Sequence, residues 1–265
     1  MRRPPLCHRV FRGSEAQLAI YWKGAPSVFR ERKHGTQTRQ VLTPAKFRHL
    51  LRITEATSRF PERDTLILLL GVTCEMRITE IARIEVGDVL AKSGVRREEV
   101  SLRGSITKGC RPRCIYLSHT RTIDAFDRYV EWRYQRGAGA ALERHEYRGL
   151  IPRTRLILTQ KGGPFELSVK RQVNFDGETA EYLAADSLRS YVTGLYRSAG
   201  LGVGYSSHSG RRTFASRLVA QGHSLDTVQL LLGHSHLDHV APYLEVTRRE
   251  RWEAIAALDR PLDKD

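Results

Sequence analysis

The sequence predicts a mainly α-helical protein with a small three-stranded antiparallel β-sheet, an α+β fold. Apolar residues recur at helical spacing in most segments between about residues 42 and 258. Alternation of apolar and polar residues replaces that spacing in IEVGDV, EEVSLRGSI and RCIYLS, between residues 84 and 118. The last two segments are joined by TKGCRP, in which Gly109 and Pro112 indicate a turn. Short paired strands among helices are therefore expected.

The first predicted helix begins after Thr43, which can cap it, with Pro44 in the first helical position. Further helices are predicted over residues 62–70, 78–84, 119–136, 186–199, 211–221, 225–232 and 248–258. A short strand is expected at residues 155–160, and residues 168–185 have too weak a periodicity for an assignment. We therefore expect one large domain over residues 41–265, preceded by a basic N-terminal arm over residues 1–40.

Positive charge is the strongest signal in the composition. Lys and Arg number 44 against 29 Asp and Glu, which gives a formal net charge of +15 and a pI near 10.1. An excess of this size over a globular chain favours an anionic polymer as partner, nucleic acid ahead of an anionic membrane surface. No run approaches the roughly 18 apolar residues of a membrane span, and the N-terminus lacks an apolar signal core. A cytoplasmic, DNA-associated protein without membrane contact is expected.

The four cysteines do not form a metal-binding pattern. Cys110 and Cys114 lie close together, but no second pair matches them, and Cys7 and Cys74 are isolated. Scattered cysteines in a cytoplasmic chain are expected to remain reduced thiols. No bound metal is predicted from them.

Residues suited to phosphate chemistry are concentrated in YSSHSGRRTFASRLVAQGHSLDTVQLLLGHSHLDHVAPY, residues 205–243. His208 and Arg211 are three residues apart at the start of a predicted helix, so both lie at its positive end. His234 follows the glycine that ends the next helix, and Tyr243 lies nine residues beyond it. Arginine matches two phosphate oxygens, histidine transfers protons near neutral pH, and tyrosine offers a hydroxyl nucleophile.

Two cationic residues upstream, Arg77 and Lys108, become candidate site residues only when they are considered together with residues 205–243. Arg77 stands where one predicted helix ends and another begins, near backbone amides that attract an anion. Lys108 lies at the tip of the predicted hairpin, from which a long side chain can extend over a ligand. Taken alone, a salt-bridged Arg77 and a solvated Lys108 explain the pattern equally well.

These motifs, in this order, resemble those of the tyrosine recombinase (phage integrase) family over residues 41–258. MRITEIARIEVGDV is similar to the family's first-arginine motif, TKGCRPRCIYL to its hairpin lysine, HSGR to its His-x-x-Arg motif and LLGH to its second histidine. The resemblance implies six catalytic residues: Arg77, Lys108, His208, Arg211, His234 and Tyr243.

The resemblance also implies a mechanism. A tyrosine hydroxyl attacks a DNA phosphodiester, forming a 3′-phosphotyrosyl link and a free 5′-hydroxyl, and the reverse attack rejoins DNA without metal or ATP. Arg77 and Arg211 would clamp the non-bridging oxygens, and Lys108 would protonate the leaving oxygen. His208 would assist deprotonation of Tyr243, and a further hydrogen bond would come from His234.

The implied partners are double-stranded DNA and further copies of the chain, as a homo-tetramer on two duplexes with the 248–258 helix docking on a neighbour. Accessory recombinases or DNA-bending proteins remain an open alternative. The arm is shorter than the family's four-helix DNA-clamping domain, so the grip on DNA would be reduced, borrowed from partners or supplied by the arm. Additional DNA contacts are predicted at Lys33, Arg39, Arg111 and Arg212.

The sequence departs from the family pattern at three positions. Glu75 stands where glycine is frequent two residues before Arg77, which brings a carboxylate near the phosphate. Arg212 replaces a frequent histidine and adds charge. Pro242 removes a backbone donor directly before Tyr243, so a regular helix there is not expected.

Three other interpretations remain open. LVAQGHSLDTVQLLLG fits a helix-turn-helix, which would make the chain a DNA-binding regulator. A recombinase relic would bind DNA without cutting it. A metal hydrolase would use His234, His236 and His239, although their spacing lacks the paired helical histidines and carboxylate of zinc sites.

Overall fold

The structure is a computed structural model, and it describes residues 40–107, 112–173 and 179–233. In these ranges the chain forms helices α1 Pro44–Thr57, α2 Pro61–Thr73, α3 Ile78–Arg83, α4 Val86–Val89, α5 Thr120–Gln135, α6 Asp186–Ser198, α7 Ser209–Ala220 and α8 Leu225–Leu232, and strands β1 Glu99–Leu102, β2 Arg113–Tyr116, β3 Ser168–Val173 and β4 Thr179–Ala184. None of the helices described is long and apolar enough to cross a membrane.

Helix starts follow the capping signals in the sequence. The Thr43 hydroxyl accepts a hydrogen bond from the Lys46 amide, and Pro44 occupies the first position of α1. Ser224 caps α8 in the same way, because its hydroxyl accepts from the Thr227 amide at 3.2 Å. All the helices predicted between residues 43 and 232 are confirmed within a few residues of their expected ends. The predicted 248–258 helix and the arm lie outside the described residues.

The prediction of a three-stranded sheet is wrong, because IEVGDV does not form a strand. The Asp88 carboxylate accepts from the Glu85 amide at 2.9 Å and thereby caps α4. Val86 and Val89 are then both buried on one side of this helical turn. They are three residues apart, the spacing of a helix, whereas residues on one face of a strand are two apart. The remaining strands, β1 and β2, pair antiparallel as predicted, with Glu99 opposite Tyr116.

A second hairpin occupies the segment that could not be assigned from sequence. Strands β3 and β4 pair antiparallel, with Ser168 opposite Ala184. Residues 155–160 do not form the expected strand, since only Arg155 makes a single bridge, to Glu85. The described residues therefore contain two separate two-stranded sheets set among helices.

Helix α2 lies at the centre of the main apolar core. Its residues from Leu66 to Leu70 are each at most 2% exposed, and it packs against α1, α5 and α7. A smaller apolar cluster lies between α7 and α8 and consists of buried Ala215, Val228 and Leu232. The domain therefore has one extensive core and one small satellite cluster.

Helices α2 and α7 approach each other through their backbones. A Cβ atom added at Gly210 would lie 2.9 Å from the carbonyl carbon of Gly71 and 3.0 Å from its oxygen. Glycine at this position therefore permits the contact. The contact brings the start of α7 to the end of α2, where the predicted catalytic arginines lie.

Candidate active site

Arg77 occupies the junction between α2 and α3, as the sequence predicted. Its Nη1 donates to Glu80 Oε1 at 2.9 Å, and its Nη2 donates to the Leu232 carbonyl at 3.2 Å. The side chain is 20% exposed, whereas Glu80 is fully buried. The buried Glu80 carboxylate therefore holds the Arg77 guanidinium group, which also bonds to the end of α8.

Glu80 and Arg113 are central to the site but were not singled out from sequence. The Glu80 carboxylate accepts from the Arg77 amide at 2.7 Å and from Arg113 Nη2 at 2.6 Å. It thus caps α3 and pairs with two guanidinium groups at once. The spacing of three residues between Arg77 and Glu80 at a helix start was the available signal. No local pattern indicated Arg113, which comes from β2.

Arg211 lies in the first turn of α7 and is almost completely buried. Its Nη1 donates to the Glu75 carbonyl at 2.7 Å and to Glu75 Oε2 at 2.6 Å. Its Nη2 donates to the Leu232 carbonyl. The other carboxylate oxygen of Glu75 forms an ion pair with Arg113 Nη1. Glu75 therefore lies between Arg113 and Arg211.

The C-terminal end of α8 is the point at which the arginines meet. The carbonyl of Leu232 accepts from both Arg77 and Arg211, and the carbonyl of Leu231 accepts from Arg113 at 3.3 Å. The last carbonyls of a helix lack intrahelical donors and carry its negative dipole end, so they attract cations. Three guanidinium groups and two carboxylates surround this end, an excess of one positive charge.

Gly233 completes the helix end with a left-handed backbone, at φ 57°. An added Cβ would lie 2.8 Å from Arg113 Cδ. Both the conformation and the close approach of the arginine require glycine at this position. The chain then continues directly into His234.

His208 lies at the N-cap of α7 and is exposed, one turn before the buried Arg211. It borders a cleft of about 370 Å³. The remaining lining residues are basic or hydroxylated: Arg189, Ser190, Thr193, Arg197, Ser206 and Ser207. An anionic ligand in this cleft would therefore contact cations and hydroxyl donors beside His208.

Burial shapes the ionisation of groups around the arginines. Desolvation, followed by the nearby charge of Arg211, lowers the pKa of Arg113 to about 9. Burial also raises the pKa of the Cys74 thiol to about 11, so it stays protonated at neutral pH. Both burial and the like charge of Arg211 therefore disfavour the cationic form of Arg113.

Arg212, predicted to contact DNA, points into the protein. It is 6% exposed and donates to the carbonyls of Gln40 and Gly204, each at 3.3 Å, and to Ser209 Oγ at 2.8 Å. These bonds tie the start of α7 to the segment before α1. Arg212 thus holds the start of α7, the helix that carries Arg211, against neighbouring backbone.

The structure brings Arg77 and Arg211 together and places His208 on the same helix as Arg211. The other predicted site residues lie outside the described ranges: Lys33, Arg39, Lys108, Arg111, His234 and Tyr243. The histidines of the metal-site hypothesis, His234, His236 and His239, lie there as well. The described residues thus place Arg77, Arg113 and Arg211 around the C-terminal end of α8, where they form a candidate anion site.

Comparison with known proteins assigns the chain to a family. The family model described as the phage integrase family matches residues 40–250. The chain belongs to the phage integrase family, which confirms the resemblance recognised in its motifs.

Two curated relatives are tyrosine recombinases. Tyrosine recombinase XerD of Pseudomonas putida is 25% identical over 207 residues, which are 78% of this chain and 57% of the relative. Tyrosine recombinase XerC of Bacillus subtilis is 26% identical over 210 residues, 79% of this chain and 58% of the relative. The chain therefore spans a little over half the length of these relatives.

Solved structures share the fold. A crystal structure of XerA recombinase superposes with a TM-score of 0.58 at 15% identity, covering 84% of this chain and 65% of that one. The Tn1549 transposon integrase, solved with circular intermediate DNA, gives a TM-score of 0.54 at 18% identity, covering 84% and 68%. The predicted fold class, an α+β tyrosine recombinase catalytic domain, is confirmed.

Proposed function

We propose that this protein is a site-specific DNA recombinase that cleaves and rejoins DNA through a covalent link to Tyr243. The observation that carries the proposal is the meeting of Arg77 and Arg211 at the carbonyl of Leu232. Two permanently charged groups from distant parts of the chain converge beside the residue that precedes His234 by two positions. Such a pair suits the two non-bridging oxygens of a phosphodiester.

The proposed reaction consists of the exchange of one phosphorus–oxygen bond for another and of two proton transfers. The Tyr243 oxygen forms a bond to phosphorus while the bond from phosphorus to the 5′-oxygen breaks. Negative charge grows on the non-bridging oxygens and is stabilised by Arg77 and Arg211. His208 takes the tyrosine proton, and Lys108 gives a proton to the leaving 5′-oxygen. The link conserves the bond energy, so rejoining needs neither ATP nor metal.

The surroundings of His208 support DNA as the ligand. This residue is exposed at the edge of a cleft that also contains Arg189 and Arg197. Cations beside the reacting phosphate can hold the neighbouring phosphates of the strand and fix its register. The net charge of +15 adds long-range attraction to the polymer.

The assembly belongs to the same proposal. The curated relatives are named tyrosine recombinases, and strand exchange requires two cleaved duplexes in one complex. We therefore propose a homo-tetramer on two duplexes, with the 248–258 segment docking on a neighbouring subunit. Accessory recombinases or DNA-bending proteins are the further partners of this proposal.

Covalent capture from a pool of DNA sequences tests the chemistry and identifies the target together. The protein is incubated in EDTA with a random-sequence pool of nicked duplexes, and adducts are isolated under denaturing conditions and sequenced. We expect an adduct that Tyr243→Phe abolishes and that Tyr116→Phe leaves unchanged. Tyr116 is a matched control because it is 47% exposed and lies at the opposite end of β2 from Arg113.

A second candidate function is DNA binding without cleavage. The observation that favours it is the Glu75 carboxylate, which is already paired with Arg211. In that case the pool would yield bound but never covalently linked DNA, and Tyr243→Phe would bind as the unsubstituted protein does. DNA cleavage that leaves no covalent link to the protein and that EDTA abolishes would instead support the metal hydrolase.

A further inference from the structure

Glu75 has an unusual setting for a glutamate. It is 3% exposed, and its backbone adopts a left-handed conformation at φ 51°, which favours glycine. One carboxylate oxygen contacts Arg211 Nη1 at 2.6 Å, and the other contacts Arg113 Nη1. A buried charge on a strained backbone persists only where its partners hold it.

The arginine contacts of the Glu75 carboxylate resemble the contacts that a bound phosphate would make. A carboxylate presents two oxygens that share one negative charge, and here each oxygen contacts a different guanidinium group. A phosphodiester presents two non-bridging oxygens with the same charge and the same demand for donors. The donors of Arg113 and Arg211 that face Glu75 are therefore suited to either anion.

We infer that the Glu75 carboxylate is an internal substitute for the DNA phosphate. It occupies the position of the phosphate between Arg113 and Arg211, and the phosphate must displace it. The inference makes Arg113 a third arginine of the phosphate site. It rests on the proposed function for the identity of the phosphate as part of DNA. Whether Glu75 fills an anion-binding position does not depend on the proposed function, and inorganic phosphate can test it.

The two buried carboxylates of the site differ in a way that fits an exchange. Glu80 caps α3 through the Arg77 amide and pairs with both Arg77 and Arg113, so its departure would disrupt a helix end. The Glu75 side chain accepts a hydrogen bond from Arg211, forms an ion pair with Arg113 and caps no helix in the described residues. Glu75 is thus the carboxylate that can leave.

The arginines remain anchored when the Glu75 carboxylate leaves. Arg211 keeps its bonds to the carbonyls of Glu75 and Leu232, and Arg113 keeps Glu80 and the carbonyl of Leu231. The departing carboxylate raises the local excess from one positive charge to two, since three guanidinium groups then face one carboxylate. An incoming phosphodiester restores the balance.

Anion-dependent stability provides the first test. Melting temperatures are measured in sodium phosphate and in sodium chloride at equal ionic strength. We expect the unsubstituted protein to respond weakly to phosphate, because Glu75 fills the position. Glu75→Gln should melt lower in chloride and recover in phosphate, with roughly tenfold tighter phosphate binding. The recovery should be lost in Glu75→Gln/Arg113→Gln.

Glu131→Gln is the matched control for this test. It also removes one carboxylate that pairs with an arginine, Arg144, but at the surface. It should show no phosphate-specific recovery. A Glu75→Gln protein that folds only in phosphate supports the inference, whereas equal melting behaviour in both salts overturns it.

Glu75→Asp keeps the test decisive if Glu75→Gln fails to fold in either salt. The shorter side chain retains the charge but cannot span both guanidinium groups, so phosphate should stabilise this variant more than the unsubstituted protein. An identical phosphate response in the two proteins would overturn the inference.

Covalent capture separates this inference from the proposed function. If Tyr243 forms an adduct, Glu75→Gln should form it roughly tenfold faster at low DNA concentration. An adduct formed more slowly by this variant would overturn the displacement. If neither protein forms an adduct, the proposed function fails, while the phosphate response still decides whether Glu75 fills an anion site.

Discussion

The region from α1 to α6 and the pair α7–α8 are held together by different forces. The first region contains the main apolar core, with α2 buried among α1, α5 and α7. Among the described residues, the α7–α8 pair encloses three buried apolar residues, Ala215, Val228 and Leu232. It joins the rest through the backbone contact at Gly210, through the bonds of Arg212 and through the arginines of the site. Docking of this pair and assembly of the active site are therefore the same event.

The largest expected effect comes from removing the buried carboxylate that holds Arg77 and Arg113, the two arginines of the first region that bond to the end of α8. Glu80→Gln leaves Arg77 and Arg113 without their buried carboxylate partner. Breaking a buried ion pair on one side costs about 3–5 kcal/mol, so we expect a loss of that size in the free energy of unfolding. Urea denaturation measures it, and Glu131→Gln at the surface should change little. Equal losses in the two variants would show that Glu80 does not balance the arginines.

Two leucine truncations separate the regions. Leu66→Ala in α2 should lower the free energy of unfolding by about 2–5 kcal/mol and increase amide exchange throughout the domain. Leu232→Ala removes one of the three residues of the satellite cluster and should increase exchange mainly in α7 and α8. Hydrogen-exchange mass spectrometry distinguishes the patterns. Uniform exchange in both variants would mean that the two regions unfold as one unit.

A pair of glycine substitutions tests the helix contact. Gly210→Ala places a Cβ against the Gly71 carbonyl and should lower stability by about 1–3 kcal/mol, because α7 must move away from α2. Gly194→Ala in α6 meets no atom within 4 Å and should raise stability by up to about 1 kcal/mol. Thermal unfolding shows whether each substitution lowers or raises the stability. A stabilising Gly210→Ala would contradict the close approach.

Local signals in the sequence predicted the helix framework well. Thr43 and Pro44 fixed the start of α1, and Ser224 and Gly233 delimited α8. Capping depends on neighbours within a few residues, so a linear pattern contains it. The same local chemistry explains the error at IEVGDV, where apolar alternation concealed the cap that Asp88 provides.

The less predictable part of the site depends on contacts between distant residues. Glu80 and Arg113 are separated by 33 positions, and Glu75 and Arg211 by 136. No periodicity encodes such pairs, and only the packing of α2 against α7 brings the second pair together. His208 and Arg211 were recognisable because three residues on one helix suffice to place them side by side. The β3–β4 hairpin escaped assignment because its strands alternate only weakly.

The docking of three arginines on the end of α8 has an evolutionary consequence. Their acceptors at Leu231 and Leu232 are main-chain oxygens, which every amino acid supplies. Side chains at these two positions can therefore drift within the limits of apolar packing while the placement of the helix end is inherited unchanged. Gly233 is the exception, because its backbone angle and the overlying arginine exclude any side chain. Selection at this junction acts on the path of the chain more than on the identity of its residues.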